Sequence, residues 1–222
     1  MSQRGRYDLV IFDCDGVLVD SERIANREFA ALLGEIGLEF TLPQMFETFV
    51  GNSMPRCVEI IEQRLGYAPP ADLLDRYSAR VAAVLPGELQ PVAGVVALLD
   101  RLDEAGVPYC VASNGEHALM RVKLGSTGLL ERFEARRFSS ADVARPKPAP
   151  DLFLHAAQSL GVAPARCVVV EDSPLGVQGG RAAGMEVIAF ADVLPEARLR
   201  AAGATAVVHS LQDVALLLGI DG

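Results

Sequence analysis

The chain has 222 residues and a formal charge of −9, with half its residues apolar and 22% charged. This is ordinary globular composition, and its acidic balance excludes a non-specific binder of nucleic acid or of anionic membranes, which needs a basic surface. A small anionic substrate stays possible, because a local cation can override the global field.

The length suits one large domain or a core domain with an insertion. No repeat period, long charge run or Pro- or Ser-rich tract points to a solenoid or to disorder. The N-terminal MSQRGRYDLV lacks a signal peptide's apolar region and cleavage site, and no apolar stretch approaches transmembrane length. None of Cys14, Cys57, Cys110 and Cys167 forms a C-x-x-C pair. The expectation is a cytoplasmic protein with buried, reduced thiols.

The first element is Leu9 to Asp13, a short apolar run ending in Asp-Cys-Asp-Gly, which reads as a buried parallel strand. In extended geometry Asp13 and Asp15 point the same way, roughly 7 Å apart. Gly16 then lets the backbone turn at once. Two like charges so close call for a proton or a cation, and the arrangement asks for a metal. A solvated turn or a helix cap is the competing reading of a lone D-x-D.

About ninety residues then separate this strand from the next, too many for one crossover helix. Three helical stripes fill the first part: Ala25, Phe29, Leu32, Leu33 and Ile36; Val58, Ile61 and Leu65; Leu73, Leu74, Tyr77, Val81 and Val84. Residues 21–85 therefore read as a helical insertion rooted beside Asp13 and Asp15, placed as a lid would be, with hinges near Asp20 and near Pro86 to Pro91. A subdomain that only buries area is the alternative. Residues 1–20 and 86–222 form the core.

In the core, Val92, Val95, Val96, Leu99 and Leu102 mark a helix ended by Gly106. A strand, Val107 to Ser113, follows and ends in Ser113-Asn114-Gly115, whose hydroxyl and amides entering a helix make a phosphate cradle. An ordinary cap and turn reads the same way. Phe133 to Ser140 is a weaker strand. Lys147 lies in ARPKPAPD, where flanking prolines hold it on a stiff loop, an arrangement from which a plain surface lysine gains nothing. Neighbouring Arg145 carries no such distinction. A stripe from Leu152 to Leu160 leads to the strand Arg166 to Asp172, which brings Glu171 and Asp172 to the carboxyl edge where open α/β sheets bind ligands. Asp172 also fits as a cap for the helix opened by Ser173-Pro174. Glu186 to Phe190 and Thr205 to Ser210 complete the strands. The alternation implies an α/β fold with a parallel sheet covered on both faces.

The ordered set Asp-x-Asp, Ser, Lys, Glu-Asp resembles the haloacid dehalogenase superfamily, in its helical-cap subgroup near β-phosphoglucomutase and small-metabolite phosphatases. All four family motifs are present: DCDGV, the Ser113 of VASNG, the Lys147 of RPKPAPD, and VVVEDS. The resemblance implies a Rossmann-like core with an inserted helical cap. It also implies Mg²⁺ held by the Asp13 carboxylate, the Asp15 carbonyl and Asp172, with Glu171 as a direct or water-bridged neighbour. Asp13 would be the nucleophile that forms an aspartyl phosphate, and Asp15 the acid and base. Ser113, Asn114 and Lys147 would hold the phosphate.

The implied activity is hydrolysis of a small phosphorylated metabolite, a sugar or sugar-acid phosphate. Attack on carbon, as in dehalogenases, has no use for Asp15. A mutase of the β-phosphoglucomutase type is disfavoured, because the histidine of that enzyme's first cap helix aligns with Ala25 and the insertion contains no histidine. A non-enzymatic phosphorylation switch of the response-regulator type has its acidic residues in another order and lacks the insertion. Asn52, Ser53 and Arg56 are the candidate specificity residues, although Arg56 also reads as a solvated first-turn charge. No protein partner or oligomeric state is indicated.

Overall fold

The computed structural model describes residues 6–52 and 54–220. In chain order the elements are β1 (Leu9–Phe12), α1 (Ser21–Glu35), α2 (Leu42–Phe49), α3 (Met54–Leu65), α4 (Leu73–Glu88), α5 (Val95–Ala105) and β2 (Tyr109–Ser113). There follow α6 (His117–Ser126), α7 (Leu130–Phe133), β3 (Arg137–Ser139), α8 (Asp151–Ser159), β4 (Cys167–Glu171) and α9 (Pro174–Ala182). The chain closes with β5 (Glu186–Phe190), α10 (Glu196–Ala201), β6 (Ala206–Val208) and α11 (Leu211–Leu218). It divides into two compact units, one comprising the segment up to Asp20 with everything from Gln90 onward, the other Ser21–Leu89.

The first unit is an α/β fold whose six strands run in the order β3-β2-β1-β4-β5-β6, every pair parallel. Strand β1 is central and wholly buried, as an unbroken Leu-Val-Ile-Phe run requires when helices cover both faces. Phe12 lies opposite Val111 on β2 and Val170 on β4. The residues just beyond, Asp13, Ser113 and Glu171, therefore emerge at one edge. That edge is the crevice at the switch of strand order, where α/β sheets place ligands.

Several expectations are corrected in detail. β1 ends at Phe12, so Asp13 and the buried Cys14 lie in the following turn rather than in extended strand. The weaker strand shrinks to Arg137–Ser139. Val96 is 44% exposed and Leu98 takes its place, because α5 starts only at Val95 and 100° per residue puts Val95, Leu98, Leu99 and Leu102 on one face.

Among the described residues the second unit has four helices where the stripes predict three. The eight-residue α2 buries only Met45 and Phe49, too few for a periodic signal; its start is fixed by the Thr41 amide donating to Gln44 Oε1 at 2.8 Å. Helix α4 continues through Pro86 to Glu88, past Leu85, where the sequence reading ends the insertion. A proline in the last turn removes one donor, and Leu89 N still bonds Leu85 O at 3.0 Å. The unit's core is an apolar cluster of Phe29, Leu32, Leu33, Met45, Phe49 and their neighbours, with the Phe29 and Phe49 rings edge-on at 5.3 Å.

Candidate active site

The turn after β1 is pinned on both sides. Asp13 N donates to Val170 O at 2.9 Å, Gly16 N donates to Val19 O at 2.9 Å, and Val19 N donates to Cys14 O at 3.1 Å. At Gly16 φ is +74°, and a Cβ would sit 2.0 Å from Asp172 Oδ2. Only glycine allows both that backbone and that approach. The Asp172 carboxylate is thus pressed against the backbone of the D-x-D turn, from the end of the neighbouring strand.

Asp13 and Asp15 face different lysines. Asp13 is buried and pairs with the Lys147 ammonium, which also donates to Glu171 Oε1 at 2.7 Å. Lys147 itself is buried, with the Phe153 ring centroid 4.9 Å from Nζ. Asp15 is less covered and pairs with Lys123 of α6. The sequence reading does not include Lys123. The available signal is its place on the apolar stripe of α6 between Met120 and Leu124, all three buried.

Ser113 is buried at the end of β2, and its Oγ accepts from Gly115 N at 3.0 Å. The Asn114 side chain has a different task from phosphate contact. Its Oδ1 accepts from Lys147 N at 3.0 Å and its Nδ2 donates to Lys147 O at 3.3 Å, clamping the lysine loop to the end of β2. Only the Asn114 backbone amide is then left for the expected phosphate role. Glu171, 1% exposed, accepts from Lys147, from Ser173 N at 3.0 Å and from Ser173 Oγ at 2.9 Å. Its carboxylate fills the space over Gly176, where a Cβ would lie 1.7 Å from Oε1. Glu171 thus holds Lys147 and the start of α9. The Ser173 hydroxyl caps that helix by accepting from Gly176 N, so the cap role open to Asp172 falls to Ser173.

The charges at this edge do not balance. Burial pushes the Asp13 carboxyl up to about 7, with Lys147 opposing and Glu171 and Asp15 adding to the rise. Burial works against the Lys147 ammonium too, yet Asp13 and Glu171 outweigh it and raise its pKa. Asp13, Asp15, Glu171 and Asp172 bring four negative charges to this edge, and Lys123 and Lys147 supply two positive ones. The deficit is that of one divalent cation. Among the described residues no three Asp, Glu, His or Cys side chains are grouped as metal ligands. Two carboxylates and a carbonyl do not make an all-protein cage, but they suit Mg²⁺, which keeps waters and takes substrate phosphate oxygens. The donor set fits that ion.

Arg145 and the candidate specificity residues have surroundings of their own. Arg145 is 70% exposed and pairs with Asp151 at 2.9 Å. In the helical unit Asn52 donates to Thr48 O at 2.9 Å, and Arg56 pairs with Glu59 at 2.6 Å as an exposed first-turn charge. Asn52 lines a cavity of about 130 Å³ within that unit, together with Glu22, Asn26, Phe29, Phe49 and Tyr77. Ser53 lies outside the described residues. The four cysteines are buried and unpaired, and burial raises their thiol pKa values, so none is poised for nucleophilic work.

A parallel sheet that gathers an aspartate, a serine, a lysine and a second acidic pair at one edge defines an enzyme built to receive a phosphoryl group. Comparison with known proteins gives the class its name. The sequence model of the haloacid dehalogenase-like hydrolase family matches residues 7–184. The 6-phosphogluconate phosphatase of Escherichia coli (strain K12) is 36% identical over 186 residues, 83% of each chain. The fructose-1-phosphate phosphatase YqaB of the same organism is 32% identical over 82% of this chain and 96% of its own. Among solved structures, a family hydrolase from Deinococcus radiodurans R1 with bound phosphate and sodium aligns at a TM-score of 0.85 and 34% identity, covering 98% of this chain and 97% of its own. The chain belongs to the haloacid dehalogenase-like hydrolase family.

Proposed function

We propose that this enzyme is a Mg²⁺-dependent phosphatase that hydrolyses a small phosphorylated metabolite, a sugar or sugar-acid phosphate, through an aspartyl phosphate. Phosphomonoester hydrolysis is the activity of the named relatives, and their substrates are the ground for the metabolite class. One observation carries the chemistry: the buried Asp13 at the end of the central strand, paired with Lys147, with Ser113 and Asp172 at the neighbouring strand ends.

Asp13 attacks phosphorus in line, and the bond to the leaving oxygen breaks as the Asp13–phosphorus bond forms. Asp15 gives that oxygen a proton, then takes one from the water that cleaves the acyl phosphate and restores Asp13. Ser113, the Asn114 amide and Lys147 hold the remaining phosphate oxygens and offset their charge. Asp13, the Asp15 carbonyl and Asp172 would hold Mg²⁺, which would supply positive charge to keep Asp13 ionised and to offset that of a phosphate dianion. Glu171 acts on Lys147 and Ser173 rather than on the ion. The buried free thiols suit a reducing compartment, the cytoplasm.

The test is phosphate release from a panel of phosphorylated metabolites, with Mg²⁺ and with EDTA. Turnover of many equivalents, abolished by EDTA, is expected; a single equivalent would mark a switch instead. Asp13→Asn lowers kcat by about 10⁴-fold or more in a folded protein, and undiminished activity removes the nucleophile.

A further inference from the structure

Among the described residues, Lys123 is the one charged group at the catalytic edge to which the proposed reaction assigns no task. Lysine is almost never buried unless paired, and a buried ion pair is often less stabilising than apolar residues of the same volume. Yet Lys123 occupies the inward face of α6, its side chain 9% exposed, and sends its ammonium across to Asp15, which is 27% exposed. A methionine would fit between Met120 and Leu124 on helical propensity and packing alone.

The backbone around Asp15 is already fixed: Asp15 forms a bridge with Val19, and Gly16 N donates to Val19 O at 2.9 Å. On the side chain, Lys123 grips the carboxylate by Oδ1. We propose that Lys123 is a positioning residue for the acid and base of the reaction, fixing the orientation of the Asp15 carboxylate from the helix that follows the phosphate-binding turn. This rests on the phosphatase reading, in which Asp15 moves the proton. Loss of the grip leaves the nucleophile and phosphate contacts in place and removes one restraint on the Asp15 carboxylate, which is costly because proton transfer needs hydrogen-bond geometry.

The experiment uses the full chain with Mg²⁺ and two substrates. An alkyl phosphate needs a proton at its leaving oxygen; p-nitrophenyl phosphate, whose phenolate leaves unaided, does not. In Lys123→Met, kcat on the alkyl substrate is expected to fall about tenfold or more, while the pre-steady-state burst of nitrophenolate stays within about twofold. Phosphoenzyme trapped by rapid quench should accumulate, since the hydrolysis of the intermediate also needs Asp15. In an Asp15→Asn background the same substitution should change kcat less than about twofold, because its effect passes through the missing carboxylate. Lys123→Gln should behave likewise, more mildly.

Equal loss in both backgrounds, or an equal fall in the burst, assigns Lys123 to packing and overturns the inference. So does loss of the native melting transition in both Lys123 variants. Wild-type turnover with unchanged variants overturns this inference alone, whereas a wild-type protein inert toward every phosphomonoester overturns the phosphatase reading with it.

Discussion

The sheet edge and the helical unit are built on opposite terms. At the edge the chain buries Asp13, Ser113, Lys123, Ser139, Lys147, Glu171 and Asp172, whereas the helical unit buries only Ser21 and Asn26 as polar residues among those described. The helical unit rests on apolar side chains, and its ion pairs, such as Arg76 with Glu35 at 2.6 Å, lie at the surface. Buried charges stay in place only if each is met by another charge or a fixed donor. The edge is therefore a single interlocked assembly, while the helical unit is a packed cluster whose surface is free to vary.

The sharpest way to break this contrast is one lesion of similar size in each region. Lys147→Met leaves Asp13 and Glu171 facing each other without their cation and should cost about 3–5 kcal/mol of metal-free stability. Phe29→Ala, which opens a cavity in the helical cluster, should cost about 3–5 kcal/mol as well. Denaturant melts at pH 5 and pH 8 tell them apart: the Lys147 deficit shrinks at pH 5, where protons neutralise the stranded carboxylates, and the Phe29 deficit does not. Matching pH dependence would show that charge pairing is not what holds the edge.

A smaller effect concerns Asp13 alone. Its pKa in the folded, metal-free protein is raised to about 7, above the ordinary carboxylate value near 4. The stability it contributes is full below about pH 4 and is lost as pH rises through about 7. Relative to Asp13→Asn, the metal-free wild type should therefore lose melting temperature between pH 5 and pH 8, and saturating Mg²⁺ should restore it. A wild type that tracks the variant across this range contradicts the burial argument. The smallest effect is expected at Arg56→Ala, which removes an exposed pair with Glu59 and should shift stability by less than about 0.5 kcal/mol. A larger loss would mean the helical surface is less tolerant than the contrast holds.

The strand ends were legible because buried parallel strands leave continuous apolar runs, as with β5, found from Glu186 to Phe190 as read. Asp13, Ser113 and Asp172 followed from those ends, and Lys147 from the prolines that flank it. Contacts made across the fold were not legible. Nothing near Lys123 points to a carboxylate 108 positions away, and nothing in Ser-Asn-Gly shows that the Asn114 carboxamide turns to the backbone of Lys147. Short helices escaped for a related reason: α2 and its two buried residues give too little periodicity to be seen without the cluster they complete.

The glycine at position 16 carries a consequence for anyone altering this enzyme. Because Asp172 occupies the volume any β-carbon there would need, and the left-handed backbone would strain a side chain even without it, a library that varies the first motif will find that site closed. The first motif is thus fixed by the fold as well as by the chemistry proposed for it.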